Sequence, residues 1–126
     1  ATVCIPIRHE EDLANPNIVK VVRGQNGRAL YFSRSLIPYP RKSTGCPVYE
    51  HMGIYAFTKH FLLKFVELPP TPLMETESLE QLRILEHGYS MAVIPTQYPS
   101  LGPNINTPED VEKAKKLLEG DLCGSL

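Results

Sequence analysis

Ile18-Val19-Lys20-Val21-Val22, then Gly24-Gln25-Asn26-Gly27, then Leu30-Tyr31-Phe32 is a β-branched run, a turn and an aromatic run. Branched and aromatic side chains suit the pleated, half-buried surface of a strand. An Asn-Gly pair tolerates the positive φ of a tight reversal. The stretch therefore predicts a β-hairpin. Ahead of it, Glu10-Glu11-Asp12-Leu13-Ala14-Asn15-Pro16-Asn17 is acidic and helix-prone, and Asn-Pro closes it with a turn. Behind it, Ser33-Arg34-Ser35-Leu36-Ile37-Pro38-Tyr39-Pro40-Arg41 passes from strand into a proline-stiffened loop with two arginines. A planar guanidinium grips a carboxylate or phosphate through parallel hydrogen bonds. Arg34 and Arg41 together suggest a site for a small anion; the bland alternative is a pair of surface cations.

The remaining elements follow from periodicity and punctuation. Residues 38–49 are rich in Pro, Gly and small polar side chains and read as loop. Met52 to Phe57 alternates large and small residues and predicts a strand. Thr58 is placed to cap a short amphipathic helix through Phe65. Pro69-Pro70-Thr71-Pro72 excludes helix interior and central strand. Glu75 to His87 predicts a helix with Leu79, Leu82 and Leu85 on one face and Gly88 just past its end. Met91 to Ile94 predicts a strand. Thr107-Pro108-Glu109-Asp110 announces a last helix, with a capping hydroxyl, Pro at the first position and carboxylates at the positive end. The tail after Gly120 is expected to fray. This order is an α/β pattern.

Composition narrows the function. The 126 residues suffice for one domain with a real core. The net charge of -1 lacks the basic excess of a nucleic-acid binder. No run approaches the length of a membrane span. Ala1 to Ile7 has no basic region, too short an apolar run for a signal peptide and no initiator Met, which predicts a start mid-protein or after processing. Cys4, Cys46 and Cys123 are scattered and odd in number, which predicts free thiols in a reducing cytoplasm. His9, His51, His60 and His87 show no metal-ligand spacing. No phosphate-cradling glycine loop and no nucleophile elbow is present.

What remains is a set of polar groups at element ends. His51 and Tyr55 share one face of a strand; the plain alternative makes Tyr55 core and His51 an edge residue. On the predicted helix, Glu77 neighbours Gln81 and Glu80 neighbours Arg83. These four read as a solvated face, or else Glu77 and Glu80 accept hydrogen bonds from sugar hydroxyls. Carboxylate, amide, guanidinium and imidazole together suit a polyhydroxylated acid.

Four ordered motifs carry a resemblance. They are Tyr31-Phe32-Ser33-Arg34-Ser35 with Ile37-Pro38-Tyr39-Pro40-Arg41, then His51 with Gly53-Ile54-Tyr55-Ala56, then Glu77-Ser78-Leu79-Glu80-Gln81-Leu82-Arg83, then Asn106-Thr107-Pro108-Glu109-Asp110. With Asn15-Pro16-Asn17 and Val19-Lys20-Val21-Val22, the chain closely resembles the C-terminal half of the 3-deoxy-manno-octulosonate cytidylyltransferases, the CMP-KDO synthetases. The resemblance implies the C-terminal part of a Rossmann-like nucleotide-diphospho-sugar transferase fold with a β-hairpin dimerisation extension. It implies a reaction in which the anomeric hydroxyl of KDO attacks the α-phosphorus of CTP and pyrophosphate leaves, for lipopolysaccharide assembly. It implies Arg34 and Arg41 at the sugar carboxylate, His51 and Tyr55 as a sugar-side wall, and Glu80 and Gln81 at the sugar hydroxyls. It also implies Mg2+ as cofactor and a homodimer whose contact lies around Tyr31 to Tyr55.

Two departures accompany the resemblance. The family's glycine- and arginine-bearing phosphate loop and its Gln-Gly-Asp-Glu-Pro metal segment are nowhere in this sequence. The chain is therefore expected to be the KDO-binding half, inactive by itself and without CTP binding of its own. Asn106 stands where the family usually has a magnesium-binding Asp, and an amide oxygen is a weaker ligand for a hard cation. The alternatives are a non-catalytic module that dimerises or pairs with a separate N-terminal half, and a sialic-acid cytidylyltransferase-like chain. No nucleic acid or membrane is expected as a partner, and the expected location is the cytoplasm.

Overall fold

The hairpin forms where the sequence predicts it. In the computed structural model, which describes residues 1–97 and 108–123, β2 (Lys20–Arg23) and β3 (Ala29–Ser33) follow β1 (Thr2–Pro6) and α1 (Glu10–Leu13). β2 and β3 pair antiparallel, with Val21 opposite Phe32 and Val22 opposite Tyr31. The reversal uses Gly27 at φ 74°, a backbone angle that strains any side chain. β4 (Tyr49–Tyr55) begins earlier than its alternation suggests.

One inner strand, β1, is absent from the elements expected from the sequence. β1 lies between β4 and β5 (Val93–Pro95), in a five-stranded sheet of order β3-β2-β4-β1-β5. Its pairing with β4 is antiparallel, Cys4 opposite His51, and its pairing with β5 is parallel, Thr2 opposite Val93. The largely β-branched run Thr2-Val3-Cys4-Ile5 carries a local strand signal that the expected order of elements omits, while both partners are distant in sequence. The core gathers Cys4, Val21, Phe32, Leu82, Met91 and Val93, all at least 97% buried. Leu79 and Ile84 join the same cluster from above the sheet.

α2 (Lys59–Glu67) starts as predicted, with the Phe61 N–H donating to Thr58 Oγ1 at 3.2 Å. The single helix expected over residues 75–87 is instead two. α3 (Pro72–Glu77) ends at Ser78, which is left-handed at φ 53°, and α4 (Leu82–Glu86) follows. Tertiary contacts decide the break. Ser33 Oγ donates to Glu77 Oε1 at 2.6 Å, and the Arg34 N–H donates to Glu77 Oε2 at 3.0 Å. Glu77 is thus drawn to the end of β3 and does not face Gln81. Pro72 sits in the first turn of α3, where its missing N–H costs nothing. The Glu86 carboxylate accepts from the N–H groups of Leu73 and Met74 at 3.2 Å each, which ties the two helices together.

Removing the Glu77 carboxylate should loosen this junction. Glu77→Ala is expected to lower the unfolding free energy by about 1–3 kcal/mol, because a buried hydroxyl and a backbone N–H lose their acceptor. A denaturant midpoint that does not move, at unchanged m, would count against that role.

Lys20 carries an ionisable amine into the interior. It is fully buried, and its Nζ donates to the carbonyls of Asn15 at 2.6 Å and Arg34 at 3.3 Å. Burial lowers its pKa, while the Asp12 and Glu50 carboxylates pull the other way. At the other end of the chain, α5 (Pro108–Cys123) continues past Gly120, where fraying was expected. Glu109 and Asp110 lie in its first turn, a favourable place for negative charge. Thr107, the predicted cap, lies outside the described residues.

Candidate functional site

The period of a strand places the first two site residues. His51 and Tyr55 lie on β4 with ring centroids 5.5 Å apart. Phe32 from β3 meets the His51 ring edge-on at 4.9 Å. Beyond Tyr55 the aromatic row continues through Phe57 to Phe65 on α2, at 6.0 Å and 5.5 Å. The α3–α4 junction lowers Gln81 onto this row, with its Nε2 3.5 Å from His51 Nδ1. The other ring nitrogen, Nε2, lies 2.8 Å from the Thr2 hydroxyl on β1.

Glu80 and Gln81 then face Tyr55, Phe57, Phe65 and Ile84 across a cavity of about 140 Å³. Its walls are mostly ring carbon with few polar groups, as in small-molecule sites, and its volume suits only part of a sugar-sized ligand. Burial drives the His51 pKa down to about 4, so the imidazole is neutral at pH 7. The Tyr55 phenol is pushed up to about 12, by burial first and then by the Glu80 carboxylate. It therefore keeps its proton and donates as well as accepts. The cavity edge offers a phenol, an amide and a carboxylate to hydroxyl groups.

The two arginines stand outside this cluster. Arg34 leaves β3 and donates from Nε to Glu77 O at 2.8 Å, from Nη1 to Pro16 O at 2.9 Å and from Nη2 to Ser78 O at 3.4 Å. These bonds hold the Asn-Pro turn, the hairpin and the α3–α4 junction together. Only its remaining N–H groups are left for a ligand anion. Arg41 lies in the exposed loop after β3 and lines a separate open hollow of about 820 Å³ with Tyr39, Lys42 and Val48. The structure thus brings together His51, Tyr55, Glu80 and Gln81, sets Arg34 beneath their helix junction, and leaves Arg41 apart. Thr2, which touches His51, was missed with its strand, although the largely β-branched run Thr2-Val3-Cys4-Ile5 is a signal for it.

Among the described residues, no group of three His, Cys, Asp or Glu side chains is placed to hold a metal ion. Asn106 lies outside them. Cys4 is a buried free thiol whose pKa burial raises, and Cys46 is free and exposed. No helix among the described residues is long and apolar enough to cross a membrane.

Comparison with known proteins covers nearly the whole chain. The chain is 49% identical over 118 residues to a 3-deoxy-manno-octulosonate cytidylyltransferase of Acaryochloris marina, covering 94% of this chain and 47% of that protein. It is 45% identical over 121 residues to an 8-amino-3,8-dideoxy-manno-octulosonate cytidylyltransferase of Shewanella halifaxensis, covering 96% and 49%. A solved CMP:2-keto-3-deoxy-manno-octonic acid synthetase complexed with CTP superposes with a TM-score of 0.85 at 37% identity, covering 95% of this chain and 48% of that one. The chain spans about half the length of the curated relatives it matches. The family profile described as cytidylyltransferase matches residues 1–94, which hold all of the sheet but the end of β5 and the whole cluster around His51. With sequence and superposed backbone agreeing over that stretch, the chain belongs to the cytidylyltransferase family.

Proposed function

We propose that this chain supplies the sugar-acid site of an enzyme that joins KDO to CTP, releasing pyrophosphate and CMP-KDO for lipopolysaccharide assembly. The observation that carries the reading is the cluster of His51, Tyr55, Glu80 and Gln81: the last three line one cavity, and His51 backs it through its contacts with Tyr55 and Gln81. The names of the relatives point the same way. In this reading Glu80 and Gln81 accept hydrogen bonds from sugar hydroxyls, Tyr55 donates, and the neutral His51 ring supports the wall. The resemblance assigns the sugar carboxylate to Arg34, through its spare donors, and to Arg41, which in this chain lines a separate hollow. These groups fix the orientation of the anomeric hydroxyl for in-line attack on the α-phosphorus, a positioning role. The CTP phosphates and magnesium belong to a nucleotide-binding half outside this sequence, so the chain alone is inactive. The hairpin and β4 serve a homodimer, and the enzyme works in the cytoplasm.

A KDO titration of the 15N-labelled chain tests the reading. Shifts are expected at His51, Tyr55, Glu80 and Gln81. Gln81→Ala should weaken binding about tenfold, the size of one lost hydrogen bond. Arg41→Ala is the cleaner carboxylate test, since Arg34→Ala also frees three carbonyls. Incubation with CTP, KDO and magnesium should yield no CMP-KDO. Resonances of the cluster that ignore KDO would overturn the sugar-acid site, and turnover would overturn the claim of inactivity.

A further inference from the structure

Thr2 lies at the floor of the site, 98% buried and unused by the reading above. Its hydroxyl has three partners within bonding distance: Ile54 O at 2.8 Å, Met52 O at 3.1 Å and His51 Nε2 at 2.8 Å. A hydroxyl has one proton to give, and a carbonyl oxygen has none. Were the proton given to His51 Nε2, the oxygens of Met52 and Ile54 would both face hydroxyl lone pairs at contact distance with no proton between them. The proton therefore goes to the carbonyls, and the hydroxyl oxygen accepts from His51. Nε2 must then carry the imidazole proton, and Nδ1 must be bare. A bare Nδ1 is an acceptor, which matches the Gln81 Nε2 amide group facing it at 3.5 Å. With its NH2 end turned to the ring, Gln81 has its carbonyl oxygen left for a ligand.

We propose that Thr2 is a positioning residue that fixes the His51 tautomer and, through it, the polarity of the Gln81 amide. The order of donation runs from Gln81 to His51 to Thr2 to the β4 carbonyls. Every group in this relay is neutral at pH 7, since burial keeps the imidazole from charging. Its output is an acceptor beside the Glu80 carboxylate, so that this part of the cavity takes groups that donate: the hydroxyls of a polyol. A reversed relay would present the amide NH2 instead and would favour acceptors. This last step rests on the sugar-acid reading; the tautomer does not.

Long-range 15N–1H NMR of the His51 ring tests the proposal in the free protein. The wild-type chain is expected to show a protonated Nε2 and an unprotonated Nδ1. Thr2→Ser, which keeps the hydroxyl, should show the same pattern. Thr2→Val, which keeps the shape and loses the acceptor, should move the population toward protonated Nδ1 and weaken KDO binding about tenfold. A wild-type ring protonated on Nδ1, or a Thr2→Val ring unchanged from wild type, would overturn it. If Thr2→Val does not fold, the wild-type and Thr2→Ser spectra decide. The expected tautomer in a chain that ignores KDO would support the relay while removing the sugar-acid site.

Discussion

Phe32→Ala is expected to lower the unfolding free energy by about 3–5 kcal/mol, the usual cost of emptying a ring-sized space in a packed interior. Phe32 is fully buried, and it faces Val21 across the hairpin. Its ring also meets the edge of His51 at 4.9 Å. The neighbours belong to sheet and helix alike, so the space has little room to collapse. A loss of that size is of the order of the whole stability of a domain this long, about 5–15 kcal/mol. Chemical denaturation would show it as a large fall in midpoint at unchanged m. A loss below about 1 kcal/mol would mean that the site closes up and that the ring is not a structural centre.

Acidification is expected to cost about 3 kcal/mol through one imidazole. The folded-state pKa of His51 lies near 4, against 6.5 for the free side chain. Between those values the unfolded chain binds a proton that the folded chain refuses. The stabilisation is complete above pH 6.5 and drains away as pH falls toward 4, at about 1.4 kcal/mol per unit. Phe32, Tyr55, Thr2 and Gln81 pack on the ring, and none of them offers a negative charge to an imidazolium. His51→Gln should flatten the slope of stability against pH in this window. Equal slopes in the variant and the wild type, compared at pH 7 and pH 4.5, would remove His51 as the cause.

Features with local causes were legible in the sequence. The hairpin needs only its own residues and the freedom of Gly27. α2 needs only its cap and its apolar face. His51 and Tyr55 share a face because strands have a period of two. Features with distant causes were not legible. The place of β1 in the sheet is set by partners some fifty and ninety positions away. The helix over residues 75–87 has the right apolar spacing, yet Ser33 and Arg34 capture Glu77 and break it. For the same reason Gln81 was matched to Glu77 along a helix, whereas the fold matches it to His51. Arg34 looked like an open fork, and its carbonyl partners come from segments that only the folded chain brings near.

The placement of β1 also bears on how the protein is made. Thr2–Pro6 leaves the ribosome well before Tyr49–Tyr55 and long before Val93–Pro95, yet it needs both to satisfy its backbone. The hairpin can close early during synthesis, but the middle of the sheet must wait. Such long-range pairing slows folding and leaves strand edges open in the nascent chain. Of the five strands described, the earliest in the sequence is among the last to be secured.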